Sequence, residues 1–419
     1  MFASLKIRNY RLFYFGGFVS NVGTWMARIA QDWLVLTELT DHSSTALGVT
    51  TALQFLPALC LVPWTGTAAD RFDKRRLLIL TQLGMLATSL TLALLAWGEV
   101  AALWHVYALA ALSGVGGAFD GPARQAFAPE MVPKRLIPNA VGLNTTSFHA
   151  ARLIGPAVAG ISIASWGVAP ALLANSISYL PVIAALLAMR PAELDVSPPA
   201  GGPGAVTAGL RYVRGRPDII ILMFVVFMLG TFGLNFQVSN ALMATVTFGL
   251  GADDFGFLSS IMAVGSLAAG LWAAKRANPG LRLTLFAMAG FGAAMTVLSF
   301  APTYWFYAVM LAPAGFASLT VMTSANASVQ LAVEPEMRGR VLALYHAIFL
   351  GGTPIGAPII GWMGDALGPR WTIGVGAVTA LATVAAVVVY VVRKNGWEWP
   401  GRRAGPDEEV VSEPTEDVR

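Results

Sequence analysis

The feature that most constrains this chain is a series of apolar runs of about 20 residues, each long enough to cross a bilayer as a helix. Twelve such spans are predicted, near 12–36, 46–69, 77–98, 103–125, 138–165, 169–190, 219–244, 254–274, 281–301, 303–328, 341–364 and 372–392. Of all residues, 56% are hydrophobic and 12% are charged, with a mean hydropathy of +0.64. A soluble protein carries about twice that charged fraction. The sequence therefore predicts an all-α membrane protein.

The lysines and arginines predict its orientation. Of the 27 lysines and arginines, all but Arg28, Arg152 and Arg370 fall on one side of the membrane if the N-terminus is cytoplasmic. The loops of the opposite side carry acids, among them Asp41 and Asp254. Because short loops rich in Lys and Arg stay in the cytoplasm, we expect both termini to be cytoplasmic. We expect a multi-pass protein of a bacterial inner (plasma) membrane, with the lipid bilayer as its main surroundings.

A polar stretch near the centre divides the chain into two halves of six spans. The string FHAARLIG at 148–155 aligns with YHAIFLGG at 345–352, and each falls on the fifth span of its half. Parallel repeats of this kind place a substrate site between the halves, near mid-membrane. In the central loop, GLRYVRGRP predicts a short amphipathic helix on the membrane surface. The predicted units are a six-helix half at 1–190, a cytoplasmic loop at 191–218, a second six-helix half at 219–393 and a disordered cytoplasmic tail at 394–419.

The segment GTAADRFDKRR at 66–76 joins the second and third spans and resembles the loop signature of the major facilitator superfamily. The matching positions are Gly66, Asp70, Arg71, Lys74 and Arg75. The acid at 73, where the wider superfamily has glycine, is similar to the drug- and siderophore-exporter branch that includes macrolide efflux pumps. Stretches at 119–133, 139–160, 334–345 and 361–371 resemble the same branch. The resemblance implies the major facilitator fold, a monomer and transport of small molecules.

Arg152, Gly155, Pro156 and Gly160 resemble the fifth-helix signature of antiporters, although Ala151 replaces its first glycine. That resemblance favours export. Small residues at this spacing also let two helices approach closely, and a proline can kink a membrane helix. The motif therefore has two readings, a direct role in transport or helix packing.

Ionisable residues within the spans are the main chemical clue, because a charge in a bilayer is costly and faces a cavity or a partner. Arg28 and Asp32 lie four residues apart on the first span, and Asp120 and Arg124 repeat that spacing on the fourth. In the resembled family these two helices line the cavity. Asp32 is the better proton carrier, with a structural ion pair as the alternative. The candidate substrate and proton pathway comprises Asn21, Arg28, Asp32, Asp120, Arg124, Arg152, Asn235 and Gln237.

A cytoplasmic gate is predicted where the second span ends and the eleventh begins. In the resembled family, the acid at the position of Asp70 sits at the seam between the halves when the cytoplasmic side is closed. Arg338 and Arg340 lie on the same membrane face and are the candidate partners. A carboxylate there can accept hydrogen bonds from an arginine and from free amides at the start of the facing helix.

These features favour a proton-coupled secondary exporter of a drug, siderophore or secondary metabolite. An importer or a lipid or lysophospholipid flippase on the same fold remains an alternative. An ATP-driven pump is disfavoured because none of the five lysines follows a glycine, so no phosphate-binding loop can be drawn. A membrane-embedded enzyme is disfavoured because no His-Glu-x-x-His or Gly-x-Ser-x-Gly string occurs. We expect no metal, no cofactor, no catalytic residue and no nucleic-acid partner.

Overall fold

The computed structural model describes residues 2–61, 64–65, 68, 72–195, 205–273 and 279–395, and these are nearly all helical. The α-helices, numbered in chain order, are α1 Arg8–Trp33, α2 Ser44–Cys60, α3 Lys74–Trp97, α4 Leu103–Phe127, α5 Ile137–Trp166, α6 Val168–Ala188, α7 Ala205–Arg214, α8 Pro217–Met228, α9 Phe236–Leu242, α10 Ala252–Ala273, α11 Leu281–Ser299, α12 Tyr304–Ala332, α13 Pro335–Leu367 and α14 Pro369–Asn395. The ten-residue α7 lies where the central loop was predicted to form a short helix.

Nine helical segments in the described ranges are long and apolar enough to cross a membrane. They are α3, α5, α6, the segment Pro217–Thr247 that contains α8 and α9, and α10 to α14. The remaining predicted spans correspond to α1, α2 and α4. Helix α2 has 17 residues. Helix α1 carries three arginines and one acid, and α4 carries one of each, and these charges lower the mean hydropathy of both helices. A multi-pass architecture follows, and the three polar or short helices remain predicted spans.

Local sequence explains several helix ends. The side chains of Ser43, Asp73 and Thr303 accept hydrogen bonds from backbone amides three residues later, so they cap the starts of α2, α3 and α12. Helices α5 and α13 both end at a glycine with positive φ, 85° at Gly167 and 95° at Gly368. Glycine adopts that conformation without strain, and the next helix begins at the following residue. The two predicted fifth spans therefore end in the same way.

The seventh predicted span, 219–244, is interrupted in the structure. Helix α8 passes into a π-helical turn at Leu229–Gly233, the chain leaves the helical conformation at Leu234 and Asn235, and α9 then begins. Glycines at 230 and 233 weaken the helix here. The amide of the Asn235 side chain donates to the Thr231 carbonyl (2.7 Å) and satisfies one of the freed backbone groups. A broken helix at membrane depth is tolerated where the freed groups find partners inside the protein.

The helices form two groups that meet along two contacts. Helices α1 to α6 pack mainly on one another, and α8 to α14 do the same. Between the groups, α2 packs against α13 and α5 packs against α10. In each contact the second long helix of one group lies against the fifth of the other. The seam between the groups is therefore built symmetrically.

The outer surface of the molecule is apolar. Large exposed side chains include Trp97, Trp104, Trp166, Trp305, Trp362 and Trp371. These six tryptophans lie at or near helix ends that the Lys and Arg pattern assigns to the outside. Tryptophan concentrates at the interface between a bilayer and water, so this ring indicates where the hydrocarbon region ends.

Candidate functional site

A cavity of about 830 Å³ lies between the two helix groups. Its walls come from the later turns of α2 and α4 and from α12 and the first turns of α13. Polar groups include Gln125, Asn326 and His346, but most of the lining is apolar. A concave, mainly apolar chamber with a few polar groups is the usual form of a small-molecule site.

A second cavity of about 260 Å³ lies among α1, α2, α3, α4 and α6. It adjoins the larger cavity, because Ala58, Gly117, Ala118 and Leu350 line both. Its wall is more polar and includes Thr24, Arg28, Gln31, Gln54, Ser89, Ser113, Asn175 and Tyr179. The Gln31 amide nitrogen and the Gln54 amide oxygen are buried there without a hydrogen-bond partner in the described structure. Unsatisfied buried polar atoms are costly, so this pocket suits a polar ligand or water.

Asp32 is fully buried at the end of α1. One carboxylate oxygen, Oδ2, accepts a hydrogen bond from Nε2 of Gln237 on α9 (3.2 Å). The other, Oδ1, is buried and has no partner among the described residues. The expected pairing with Arg28 does not occur as a contact, since no ion pair within 4.0 Å joins them in the described part of the chain. Asp32 is thus a half-satisfied buried carboxylate.

Two arginines share the ring of Trp25. The guanidinium carbon of Arg28 lies 4.7 Å from the ring centroid and that of Arg152 lies 5.4 Å from it. Arg28 also lies 5.0 Å from the Phe55 ring. Helix α5 approaches α1 closely here because position 155 is glycine, where a Cβ would lie 2.5 Å from the Trp25 Cβ. Tertiary packing therefore brings Arg152 beside Arg28.

Asp120 and Arg124 on α4 form a closed network. The Arg124 Nε donates to Oδ2 of Asp120 at 3.1 Å. Oδ1 accepts from the Gln82 amide (2.7 Å) and from the Thr81 hydroxyl (3.2 Å), both on α3. The Arg124 guanidinium also lies 5.5 Å from the Phe13 ring. Every oxygen of this carboxylate has a partner, so the arrangement fits a structural ion pair.

The remaining pathway candidates, Asn21, Asn235 and Gln237, lie in different surroundings. Asn235 is buried at the break before α9, where its Oδ1 has no hydrogen-bond partner in the described residues. Gln237 contacts Asp32, as described above, and lines a small void of about 50 Å³ between the helix groups. Asn21 is half-buried on α1 and lines none of these three cavities. Gln237 therefore lies with the α1 residues, whereas Asn21 and Asn235 line none of the three cavities.

The loop motif is only partly described. Gly66, Asp70 and Arg71 lie outside the described residues. Lys74 forms an ion pair with Glu130 (2.7 Å), and Arg75 donates to the carbonyls of Leu186 and Leu187 (2.6 and 3.0 Å). Arg338 and Arg340 are exposed near the start of α13. The basic residues of the motif therefore tie α3 to α6 and to the region after α4.

The opposite end of the seam is closed by an acid that the sequence analysis did not single out. Asp365, near the end of α13, accepts hydrogen bonds from the Ser44 amide (2.7 Å), the Ser44 hydroxyl (2.6 Å) and the Thr45 amide (3.0 Å). It caps the start of α2, a helix of the other group. The signal was present in the sequence, because Gly361 and Asp365 repeat the spacing of Gly66 and Asp70.

Close glycine contacts line the same closed end. A Cβ at Gly361 would meet the Ser44 carbonyl, and one at Gly48 would meet the Ala357 carbonyl. On the second contact, a Cβ at Gly160 would lie 2.7 Å from the Ala252 carbonyl oxygen, and one at Gly256 would meet the Pro156 carbonyl. The two helix groups are therefore in backbone contact at one end and separated by a cavity at the other.

Known proteins match this chain over nearly its whole length. The model of the family described as transmembrane secretion effector matches residues 1–404. The chain belongs to that family. The transmembrane secretion effector family is a branch of the major facilitator superfamily, so the resemblance inferred from the motifs is confirmed. Its members and structural neighbours are transporters.

Three curated relatives are similar to this chain over different lengths. The staphyloferrin A transporter of Staphylococcus aureus is 32% identical over 180 residues, which is 43% of this chain and 44% of the relative. Macrolide efflux protein A of Streptococcus pyogenes is 21% identical over 93% of this chain and 98% of its own. The multidrug efflux pump Tap of Mycobacterium tuberculosis is 25% identical over 85% and 87%, respectively.

Two solved structures show the same fold. A bacterial homologue of the human lysosomal transporter spinster, in an inward-facing and unoccupied conformation, aligns with a TM-score of 0.69 at 15% identity, over 91% of this chain and 94% of that one. A D-xylose–proton symporter aligns with a TM-score of 0.68 at 14% identity, over 90% and 96%. The fold is that of major facilitator transporters.

Proposed function

We propose that this protein is a proton-coupled secondary exporter of small amphipathic molecules, working by alternating access between two six-helix halves of a twelve-span protein. The observation that carries the proposal is the asymmetry of the seam. A cavity of about 830 Å³ separates the helix groups at one end, while Asp365 and close glycine contacts join them at the other. A chamber open at one end only is the arrangement that rocking of two halves around a central site requires.

The chamber opens toward the side that the basic residues assign to the cytoplasm. Its walls include Gln125 and His346, close in sequence to Arg124 and Arg340. The proposed state is therefore inward-open, with Asp365 holding the outer end closed. In the outward-open state the outer contacts would separate, and the loop acid Asp70 would take the corresponding role on the cytoplasmic side.

Asp32 is the proposed proton carrier. Burial of this carboxylate, with one oxygen unpartnered, opposes its charged form, so a proton can bind and leave as solvent access changes. Its other oxygen is bonded to Gln237, on the other side of the seam. A change in the charge of Asp32 therefore acts on the contact between the two halves, which is where proton binding must act to favour one state.

Everted inner-membrane vesicles test export and coupling together. In such vesicles an exporter loads the lumen, and respiration acidifies it. We expect vesicles containing the protein to accumulate at least one of labelled erythromycin, ethidium and citrate above vesicles lacking it, and a protonophore to abolish the difference. Accumulation that survives the protonophore would exclude proton coupling. Accumulation only in right-side-out vesicles would show an importer, and none in either orientation would contradict the proposal.

A further inference from the structure

The part of the described structure where α1, α5 and α9 meet holds more positive than negative charge. Arg28 and Arg152 both lie within 5.4 Å of the centroid of the Trp25 ring, and Asp32 is the acid that follows one turn later on α1. The other charged pair in the first six helices, Asp120 with Arg124, is an ion pair of its own. The charge around Trp25 is therefore not balanced by a carboxylate contact.

Neither arginine has the partner that an arginine of structural role has elsewhere in this protein. Arg75 donates to two backbone carbonyls, Arg124 to Asp120 and Arg370 to the carbonyls of Ser299 and Ala301. For Arg28 and Arg152, the described residues offer neither an ion pair within 4.0 Å nor a hydrogen bond. Their stabilising contacts are aromatic rings. Stacking on an aromatic ring stabilises an arginine by less than the cost of placing it at mid-membrane.

Both side chains reach empty space. Arg28 lines the cavity of about 260 Å³ within the first six helices. Arg152 lines the void of about 50 Å³ between the helix groups, together with Gln237 and Asn240. Trp25 belongs to that void as well. A ligand in the cavity of about 260 Å³ would therefore contact Arg28 and the Phe55 ring on which it stacks, and Arg152 adds a second positive charge beside the same Trp25 ring.

We propose that this cluster binds the anionic oxygens of the transported molecule, so that the substrates include organic anions that carry a carboxylate or a phosphate. The proposal rests on the proposed function, because it names the substrate class of the transported molecule, bound in the cavity of about 260 Å³ that adjoins the chamber. The guanidinium fork matches either group with two parallel hydrogen bonds. Phe55, which lines the same cavity as Arg28, would contact the apolar part of the ligand. Binding would supply a negative group in direct contact with Arg28, which no described carboxylate provides.

Equilibrium binding to the purified protein in nanodiscs tests this without any gradient. The probes are citrate, glycerol 3-phosphate and triethyl citrate, a neutral ester of similar shape, measured by calorimetry. The variants are Arg28→Gln, Arg152→Gln, Arg152→Lys and the control Arg190→Gln, an exposed arginine paired with Glu193. We expect citrate or glycerol 3-phosphate to bind, and each glutamine variant to raise the dissociation constant about ten- to a hundredfold. Arg152→Lys should restore part of the affinity, and Arg190→Gln should leave it unchanged.

Three outcomes would overturn the proposal: no binding of either anion, equal binding of the neutral ester, or unchanged affinity in both glutamine variants. Thermal unfolding of each variant shows whether a loss of binding reflects unfolding instead, and in that case the lysine variant decides. Failure of the vesicle experiment with intact anion binding would overturn export and keep the anion site. Export of erythromycin or ethidium without anion binding would support the export function and overturn the anion site.

Discussion

The first helix group contains two acid–arginine pairs at the same sequence spacing, and the structure treats them in opposite ways. Asp120 on α4 has partners on both oxygens, from Arg124, Gln82 and Thr81. Asp32 on α1 is buried more completely, yet one oxygen has no partner in the described structure and Arg28 turns to aromatic rings instead. A satisfied buried network rigidifies a protein, whereas an unsatisfied charge is a site where something can bind.

Within the same helix group, the Asp120 network contributes to stability, whereas Asp32 is placed to act in transport. The Asp120 network joins α3 to α4, neighbours in the same group. Asp32 instead contacts Gln237, on the other group and beside the broken helix. We therefore expect replacements around Asp120 to change the free energy of unfolding, and replacements around Asp32 to change transport.

The largest effect on stability is expected for Asp120→Ala. The change leaves Arg124 buried without its counter-charge and removes an acceptor from Gln82 and Thr81, at a cost of about 3–5 kcal/mol. Thermal unfolding in detergent, followed by intrinsic fluorescence, should show a midpoint several degrees lower. The control is Asp253→Ala, an exposed acid near the start of α10. An unchanged midpoint for Asp120→Ala would remove the distinction between the two pairs.

Asp32→Asn should abolish gradient-driven accumulation in everted vesicles. The side chains are nearly isosteric, and an amide at position 32 can still accept a hydrogen bond from Gln237, so the unfolding midpoint should stay close to that of the wild type. Exchange of labelled for unlabelled substrate without a gradient should persist. Asp41→Asn, in the loop between α1 and α2, is the exposed control. Wild-type accumulation by Asp32→Asn would exclude this carboxylate from coupling.

A smaller, matched effect is expected for the two glutamines that bond to these acids. Gln82→Leu removes a 2.7 Å hydrogen bond to Asp120 and should cost about 1–3 kcal/mol of stability, with transport per folded molecule unchanged. Gln237→Leu removes the 3.2 Å bond to Asp32 and should slow transport several-fold with little change in stability. Unfolding midpoints and vesicle accumulation measured on both variants give the result. A transport defect in Gln82→Leu together with a stability loss in Gln237→Leu would contradict the proposed difference between the two acids.

The sequence predicted much of the fold because a bilayer imposes simple rules. Backbone groups within lipid must be bonded inside the segment, so long apolar runs become helices. Nine of the predicted spans correspond to helical segments of sufficient length and hydropathy in the described ranges. The interruption at Leu234 and Asn235 was missed, because the apolar pattern of 219–244 continues through it. Its local signal, two glycines three residues apart, is common in membrane helices.

The candidate site depended on contacts that no local pattern contains. Both acid–arginine pairs have the same spacing, Arg28 with Asp32 and Asp120 with Arg124. From the sequence alone, both pairs were therefore predicted to belong to the pathway. The two acids differ in the partners that folding brings to them. Gln82, which bonds to Asp120, is 38 residues away in the sequence, and Gln237, which bonds to Asp32, is 205 residues away. The position of Trp25 beside both Arg28 and Arg152 follows from the approach of α5 at Gly155.

By itself, the sequence determined the membrane class, the family and the predicted orientation, because hydropathy, loop charge and short motifs are properties of neighbouring residues. Only the tertiary structure decided which buried charges are satisfied, which end of the seam is closed and where the cavities lie. Those properties depend on groups brought together from distant positions, such as Asp365 and Ser44, 321 residues apart. The energy of a buried charge is set by everything within a few ångströms of it, and that set is defined only when the helices have packed.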